Sequence, residues 1–361
     1  MKLRMPEYYK QFKCIADKCK DSCCSAGWEI DIDDDTAKLY DSVSGEFGEK
    51  LHKSIDNSCG NRHFILDEHN NCPFLKDGLC EIFTKLGEHS LCKICSEHPR
   101  YYEWFTDLKE GGIGLCCEEA ARIILSFDKK FTTYDVNDDE SDDELDTDSD
   151  NYDEDLYTFL KTARNKIIAH LEDNSIDFNN RIRDVIWYGN VLQQDIDFNL
   201  LDDEEIVDVT LSESSNLIDI FDFLCTLELN DNNWSDYLKD CSKVYTSNYT
   251  KLDEFEAKHP EVNDYLKNIA IYFIWRYFLK GCFDEDVLSK IKLMAVSVSI
   301  IRAMIFCKWL DKNSIKLEDC VDIVKKYSEE IEYCEDNLLK FFKASYELEA
   351  FNVEKIIGLF K

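Results

Sequence analysis

Apolar residues recur every three to four positions through most of the chain beyond Leu156. In "DLYTFLKTARNKIIAHL" they fall at Leu156, Phe159, Leu160, Ala163, Ile167, Ile168 and Leu171, one stripe of a helix. The same spacing returns in "SNLIDIFDFLCTL", "DVLSKIKLMAVSVSIIRAMIFCKWL", "KLEDCVDIVKKYSEEIEYCEDNLLKFFKASYEL" and "NVEKIIGLF". The stretch Tyr265–Lys280 is apolar nearly all round, which predicts a central helix of a bundle. The first 130 residues follow another pattern. "GWEIDID" alternates Trp28, Ile30 and Ile32 with Glu29, Asp31 and Asp33, the period of a short strand. "DDDTAKLYDSV" opens with the acidic residues that favour a helix start. "GLCEIFTKLGE" predicts a short strand or helical turn closed by Gly87, and "CCEEAARIILSF" a helix. The predicted fold is mainly α. A cysteine-rich domain with short strands spans 1–130, an acidic linker 131–155 and a helical bundle 156–361. Strands are too few for a doubly wound α/β domain.

The linker is set by charge. Twelve of the 18 residues from Asp138 to Asp155 are acidic, a run that cannot bury apolar surface. The whole chain carries a formal charge of −33, which repels phosphate backbones and argues against a nucleic-acid partner. "IAIYFIWRYFL" (Ile269–Leu279) and "LMAVSVSII" (Leu293–Ile301) fall short of the roughly 20 apolar residues a membrane span needs, so no membrane partner is expected. The charged opening "MKLRMPEYYKQ" lacks an apolar signal core, so a cytoplasmic location with reduced thiols is expected.

That location decides how the 17 cysteines are read. Eleven lie within the first 117 residues, and the spacings Cys19-x3-Cys23, Cys72-x7-Cys80 and Cys92-x2-Cys95 suit soft thiolate ligands closing on one metal. Cys59 has no neighbour to pair with. Cys225, Cys241, Cys282, Cys307, Cys320 and Cys334 sit singly in helical segments and are expected to be small buried hydrophobes. Spacing does not choose zinc from an iron–sulfur cluster. A C-x3-C-x2-C radical cluster motif would need a cysteine at 26, where Ala26 stands. Arg100, close to Cys95, is a candidate to offset thiolate charge or hold a cofactor carboxylate. Trp28, Tyr101, Tyr102 and Trp104 either line a pocket or belong to the core. "EGGIG" (Glu110–Gly114) adjoins no βαβ unit, and neither a Ser/His/Asp set nor His-Glu-x-x-His occurs, so no catalytic residue is assigned. On residues alone, three functions stay open: a metal-dependent enzyme, a non-catalytic zinc or iron protein with a helical partner-binding domain, and a thiol sensor.

Three stretches together resemble the flagellin lysine-N-methylase family: "FKCIADKCKDSCCSAGWEIDID", "NCPFLKDGLCEIFTKLGEHSLCKICSEHPR" and "GLCCEEAARIIL". The cysteine pattern is also similar to a wider class of zinc- or iron-chelating domains. "FIWRYFLKGCFDEDVLSKIKLMAVSVSIIRAMIFCKWL" and "YSEEIEYCEDNLLKFF" resemble the family's helical tail. The resemblance implies methyl transfer from S-adenosylmethionine to lysines of flagellin, in a protein carrying a [4Fe–4S] cluster, with zinc as the alternative metal. It places the family's cysteines on Cys14, Cys19, Cys23, Cys24, Cys72, Cys80, Cys95 and Cys117. Eight exceed the need of one four-iron cluster, so some would support the site or bind a second metal. The chain departs from the family in reading Cys117-Glu118-Glu119-Ala120 for Cys-Pro-Glu-Ala and His98-Pro99-Arg100 for Tyr-Pro-Arg, and in having Cys92 and Cys116 where serine is usual.

Overall fold

The structure is a computed structural model that describes residues 2–20, 22–25, 27–57, 62–106, 108–137, 152–202, 204–210 and 215–360. Cys59 and most of the acidic run lie outside the described residues. The fold is mainly helical, and the chain packs as two compact units. One comprises Phe12–Tyr101 and Cys117–Ala120; the other comprises Met1–Gln11, Tyr102–Cys116 and Ala121–Lys361.

The cysteine unit is built from short elements around a small core of Ile30, Ile32, Tyr40, Leu51, Phe64, Phe74 and Ile82. Ile30 and Ile32 are buried, as their alternation predicts. They do not form a full strand. Asp31 makes an isolated bridge to His63, the Ile32 N–H bonds the Arg62 carbonyl at 2.8 Å, and the Phe64 N–H bonds that of Ile30 at 3.1 Å. The ladder stops there because Asp33 leaves it to cap the helix Asp34–Ser42. The segment after Gly78 becomes the helix Glu81–Leu86, closed by Gly87 at a φ of 96°.

Four strands pair into a sheet that the hydrophobic pattern did not reveal. Its order is Arg100–Trp104, Lys109–Ile113, Lys2–Pro6, Thr133–Asn137. Lys2–Pro6 runs parallel to Lys109–Ile113 and antiparallel to Thr133–Asn137, with Met5 opposite Tyr134. Thr133–Asn137 falls inside the stretch expected to be linker. Its polar side chains are mostly exposed, so only its backbone pairing and the bidentate Arg4–Asp135 contact at 2.8 and 3.0 Å mark it as a strand.

The bundle is centred on the helix Leu288–Lys312, which Glu261–Tyr277, Phe178–Asp197, Leu317–Ile331, Glu335–Glu347 and Trp234–Asn248 surround. The expectation for Tyr265–Lys280 holds in that Glu261–Tyr277 is also buried along most of its length. By length and composition Leu288–Lys312 could cross a membrane, contrary to the shorter apolar stretch read from sequence; 89% of its apolar window is buried by neighbouring helices. The contact with Phe178–Asp197 depends on Gly189, where an added Cβ would lie 2.3 Å from Ile291 Cδ1. Gly189→Ala is expected to destabilise the protein by about 1–3 kcal/mol through overpacking, offset in part by better helix propensity. Urea denaturation would measure it, and an unchanged midpoint would show that Ile291 yields freely.

Candidate metal centre

The thiols are gathered by local structure that the sequence dictates closely. Cys23 and Cys24 lie in a single 3-10 turn, Cys23–Ser25. The Ser25 N–H bonds the Ser22 carbonyl at 2.8 Å, and the Trp28 indole N–H donates to the Cys23 carbonyl at 2.6 Å. The Cys72 N–H then bonds the Cys24 carbonyl at 2.8 Å, joining this turn to the next cysteine motif. There the paired strands Leu75–Lys76 and Leu79–Cys80 turn through Asp77 and Gly78, both at positive φ. An Asp-Gly pair between two short strands is a hairpin signal, and it folds Cys80 back toward Cys72. Cys92 is the N-cap of the helix Lys93–Glu97, and Cys95 lies in its first turn, with 3.3 Å between the two sulfurs. Asp33 fixes this helix to its own: it accepts the Thr36 N–H at 3.0 Å and the Lys93 N–H at 2.8 Å.

Two sets of thiols result, joined at the adjacent pair. Cys23 faces Cys14 and Cys117. Cys19 belongs to the same side: Glu118, where the family has proline, accepts from Cys19 Sγ at 3.5 Å and from the Lys20 N–H at 2.8 Å. Cys24 instead shares its surroundings with Cys72, Cys80, Cys92 and Cys95. This second set packs against the unit's apolar core. Hydrogen bonding from Cys23 holds the Cys24 thiol down to about 7, while the same contact and burial push Cys23 up. A hydrogen bond from Cys95 likewise lowers Cys92, and burial pushes Cys72 up to about 12.

The donor chemistry fits a soft metal or an iron–sulfur cluster, since soft thiol donors share one small unit. Among the described residues no three His, Cys, Asp or Glu side chains converge on one point as a metal would require. Arg100 sits beside this unit's last helix, where its guanidinium donates to the Ser96 carbonyl at 3.0 Å and lies 5.2 Å from the Phe12 ring centroid. Trp28 packs edge-on against His98 at 5.0 Å.

The Asp33 carboxylate offers a test of the scaffold. Burial acts to raise it, but the N–H groups of Lys93 and Thr36 outweigh that and hold it below the ordinary carboxylate range. Its stabilising contribution is therefore present above the unfolded carboxylate pKa and lost as pH falls through the depressed folded value. Asp33→Ala is expected to cost about 1–2 kcal/mol at neutral pH and less in acid, read by denaturation at both pH values. An equal loss at both would exclude the capping role.

In the larger unit the aromatics Tyr102 and Trp104 face a lysine of the chain itself: Lys109 Nζ lies 4.5 and 4.8 Å from their ring centroids. A second polar group, missed by sequence reasoning, is buried in the bundle. Glu332 accepts from the Tyr272 and Tyr277 hydroxyls, both at 2.9 Å, and pairs with Arg276 at 3.3 Å. Burial pushes both tyrosines well above their usual range. Cys241 and Cys307 refine another expectation. Each is alone on its own helix, but the two meet: the Cys307 thiol donates to the Cys241 carbonyl at 3.4 Å between the helices Trp234–Asn248 and Leu288–Lys312.

These features define a mainly helical protein with a separate, thiol-gathering unit. The family model of the FliB lysine N-methylase C-terminal domain matches residues 114–359, and the chain belongs to this family. Membership supports a lysine methyltransferase role. The match takes in Cys116, Cys117 and the helices, while Cys14 through Cys95 precede it. Comparisons with curated proteins and with solved structures gave no match.

Proposed function

We propose that this protein transfers methyl groups from S-adenosylmethionine to lysine side chains of flagellin, in the cytoplasm, with a [4Fe–4S] cluster on the cysteine unit. The family match over the helical half is the observation that carries the reading. The concentration of soft thiol donors in one small unit supports the cluster reading: Cys14, Cys19, Cys23 and Cys117 would hold it, and Cys24, Cys72, Cys80 and Cys95 would support it from the core. The seat of the second set on that core also favours a structural metal there, such as zinc.

S-adenosylmethionine supplies the methyl group when bound. The chain must do the rest. A lysine ammonium has no lone pair and an unperturbed pKa of about 10.4, so each methyl transferred requires a proton to leave the amine. The formal charge of −33 draws a lysine-bearing surface in but favours the ammonium form. Deprotonation thus needs a locally apolar setting. Aromatic faces of the Tyr102–Trp104 kind can hold a lysine but stabilise its charge, so they suit capture rather than activation.

The test is to purify the protein without oxygen, count iron, zinc and sulfide, then incubate it with S-adenosylmethionine and flagellin. Methyl mass increments on flagellin lysines are the expected result. An iron-loaded protein that leaves flagellin unmodified would refute the substrate, and a colourless protein holding only zinc would refute the cluster.

A further inference from the structure

Lys292 is a buried charge without a matching countercharge. It lies on the central helix and the residue is 4% exposed. Its ammonium donates to the Ser345 carbonyl at 2.7 Å and lies 5.0 Å from the Tyr346 ring centroid. Among the described residues no carboxylate pairs with it, in a chain where acids outnumber bases 75 to 42. The nearest candidate, Asp286, is already engaged by Lys290, Ser289 and the Tyr346 hydroxyl. Its field acts to raise Lys292, but burial outweighs it and holds the ammonium below the usual lysine range. A buried ammonium satisfied by one carbonyl is costly, and folds retain such groups where a ligand completes them.

Lys292 also lines a groove of about 420 Å³ between the helices Phe178–Asp197, Leu288–Lys312, Glu335–Glu347 and Val353–Ile357. That volume lies within the roughly 300–1,000 Å³ typical of small-molecule sites. Trp187 and Tyr346 present partly exposed aromatic faces along it, and Asn190, Asn352 and Glu354 supply amides and a carboxylate. The inventory matches a ligand with an anionic end, a flat heteroaromatic end and hydroxyls between.

We propose that this groove is the S-adenosylmethionine site: Lys292 would take the carboxylate, Trp187 the purine face, and Glu354 the ribose hydroxyls. The assignment rests on the methyltransferase reading above and adds its location. It places the methyl donor on the helical unit, within the residues that match the family model, and not on the thiol unit.

Isothermal titration with S-adenosylhomocysteine tests it without any turnover. Lys292→Met keeps the apolar stem and removes the charge; Trp187→Ala alters a residue 36% exposed. Each is expected to weaken binding at least about tenfold, the value of one lost good contact. Lys292→Met is also expected to leave the melting temperature equal or higher, because an uncompensated buried charge is replaced by an apolar chain. A lysine with a merely structural role would instead lower it. If wild type binds the probe and both variants bind it equally well, the location is wrong and the methyltransferase reading stands. If wild type does not bind the probe, both fall.

Discussion

Cys23→Ala is expected to lose its iron when purified without oxygen, while Cys225→Ala keeps a full complement. The contrast follows from surroundings. Cys23 faces Cys14 and Cys117 from a turn tied down by the Trp28 indole. Cys225 lies in the helical unit, where its thiol bonds the Ser235 carbonyl at 3.6 Å. Thiolate ligation of a cluster fails stepwise as donors are removed, and loss of one of four leaves an iron open to solvent. Circular dichroism would separate cluster loss from unfolding, because the adjacent Cys24 set still packs on the core in the variant. Equal iron in Cys23→Ala and wild type would remove Cys23 from the ligand set.

Glu110→Gln is expected to cost about 3–5 kcal/mol, because it leaves a buried guanidinium unpaired. Arg164 and Glu110 meet in a bidentate pair at 2.6 and 2.7 Å, with side chains 3% and 5% exposed. Arg164 also lies 4.2 Å from the Trp275 ring centroid, and the Trp275 indole donates to the Gly111 carbonyl at 3.1 Å. The pair thus fastens the sheet to the helices Glu154–Leu171 and Glu261–Tyr277. The double variant Glu110→Gln, Arg164→Met removes both charges, so it should recover much of the loss. Chemical denaturation of the three variants would decide. A double variant no better than Glu110→Gln would mean that geometry, not charge, is what the site requires.

Helices were legible because amphipathic period and burial agree: residues spaced three and four apart share a face whatever they pack on. The thiol unit was legible as a set too large for one cluster, but which sulfurs fall together was not, since spacing says which are near in sequence and nothing about which way adjacent ones point. The Asp77-Gly78 hairpin was a signal in plain view that explains how Cys72 and Cys80 meet. Lys290 and Lys292 were another, two lysines in the first turns of a helix whose next nine residues, Leu293–Ile301, carry no charge. Cys241 and Cys307 could not be paired from sequence, being 66 residues apart on separate helices.

The sequence by itself determined the helical character of the chain, the gathering of its thiols and, through the order of its motifs, its resemblance to the flagellin lysine-N-methylases. Those are properties of local pattern. Only the tertiary structure decided that Lys2–Pro6 and Thr133–Asn137 join one sheet, that Cys23 and Cys24 face different partners, and that Lys292 lies buried without a carboxylate. Each depends on contacts between segments far apart in the chain, whose free energy is set by which groups are taken from water together and is written in no single stretch of residues.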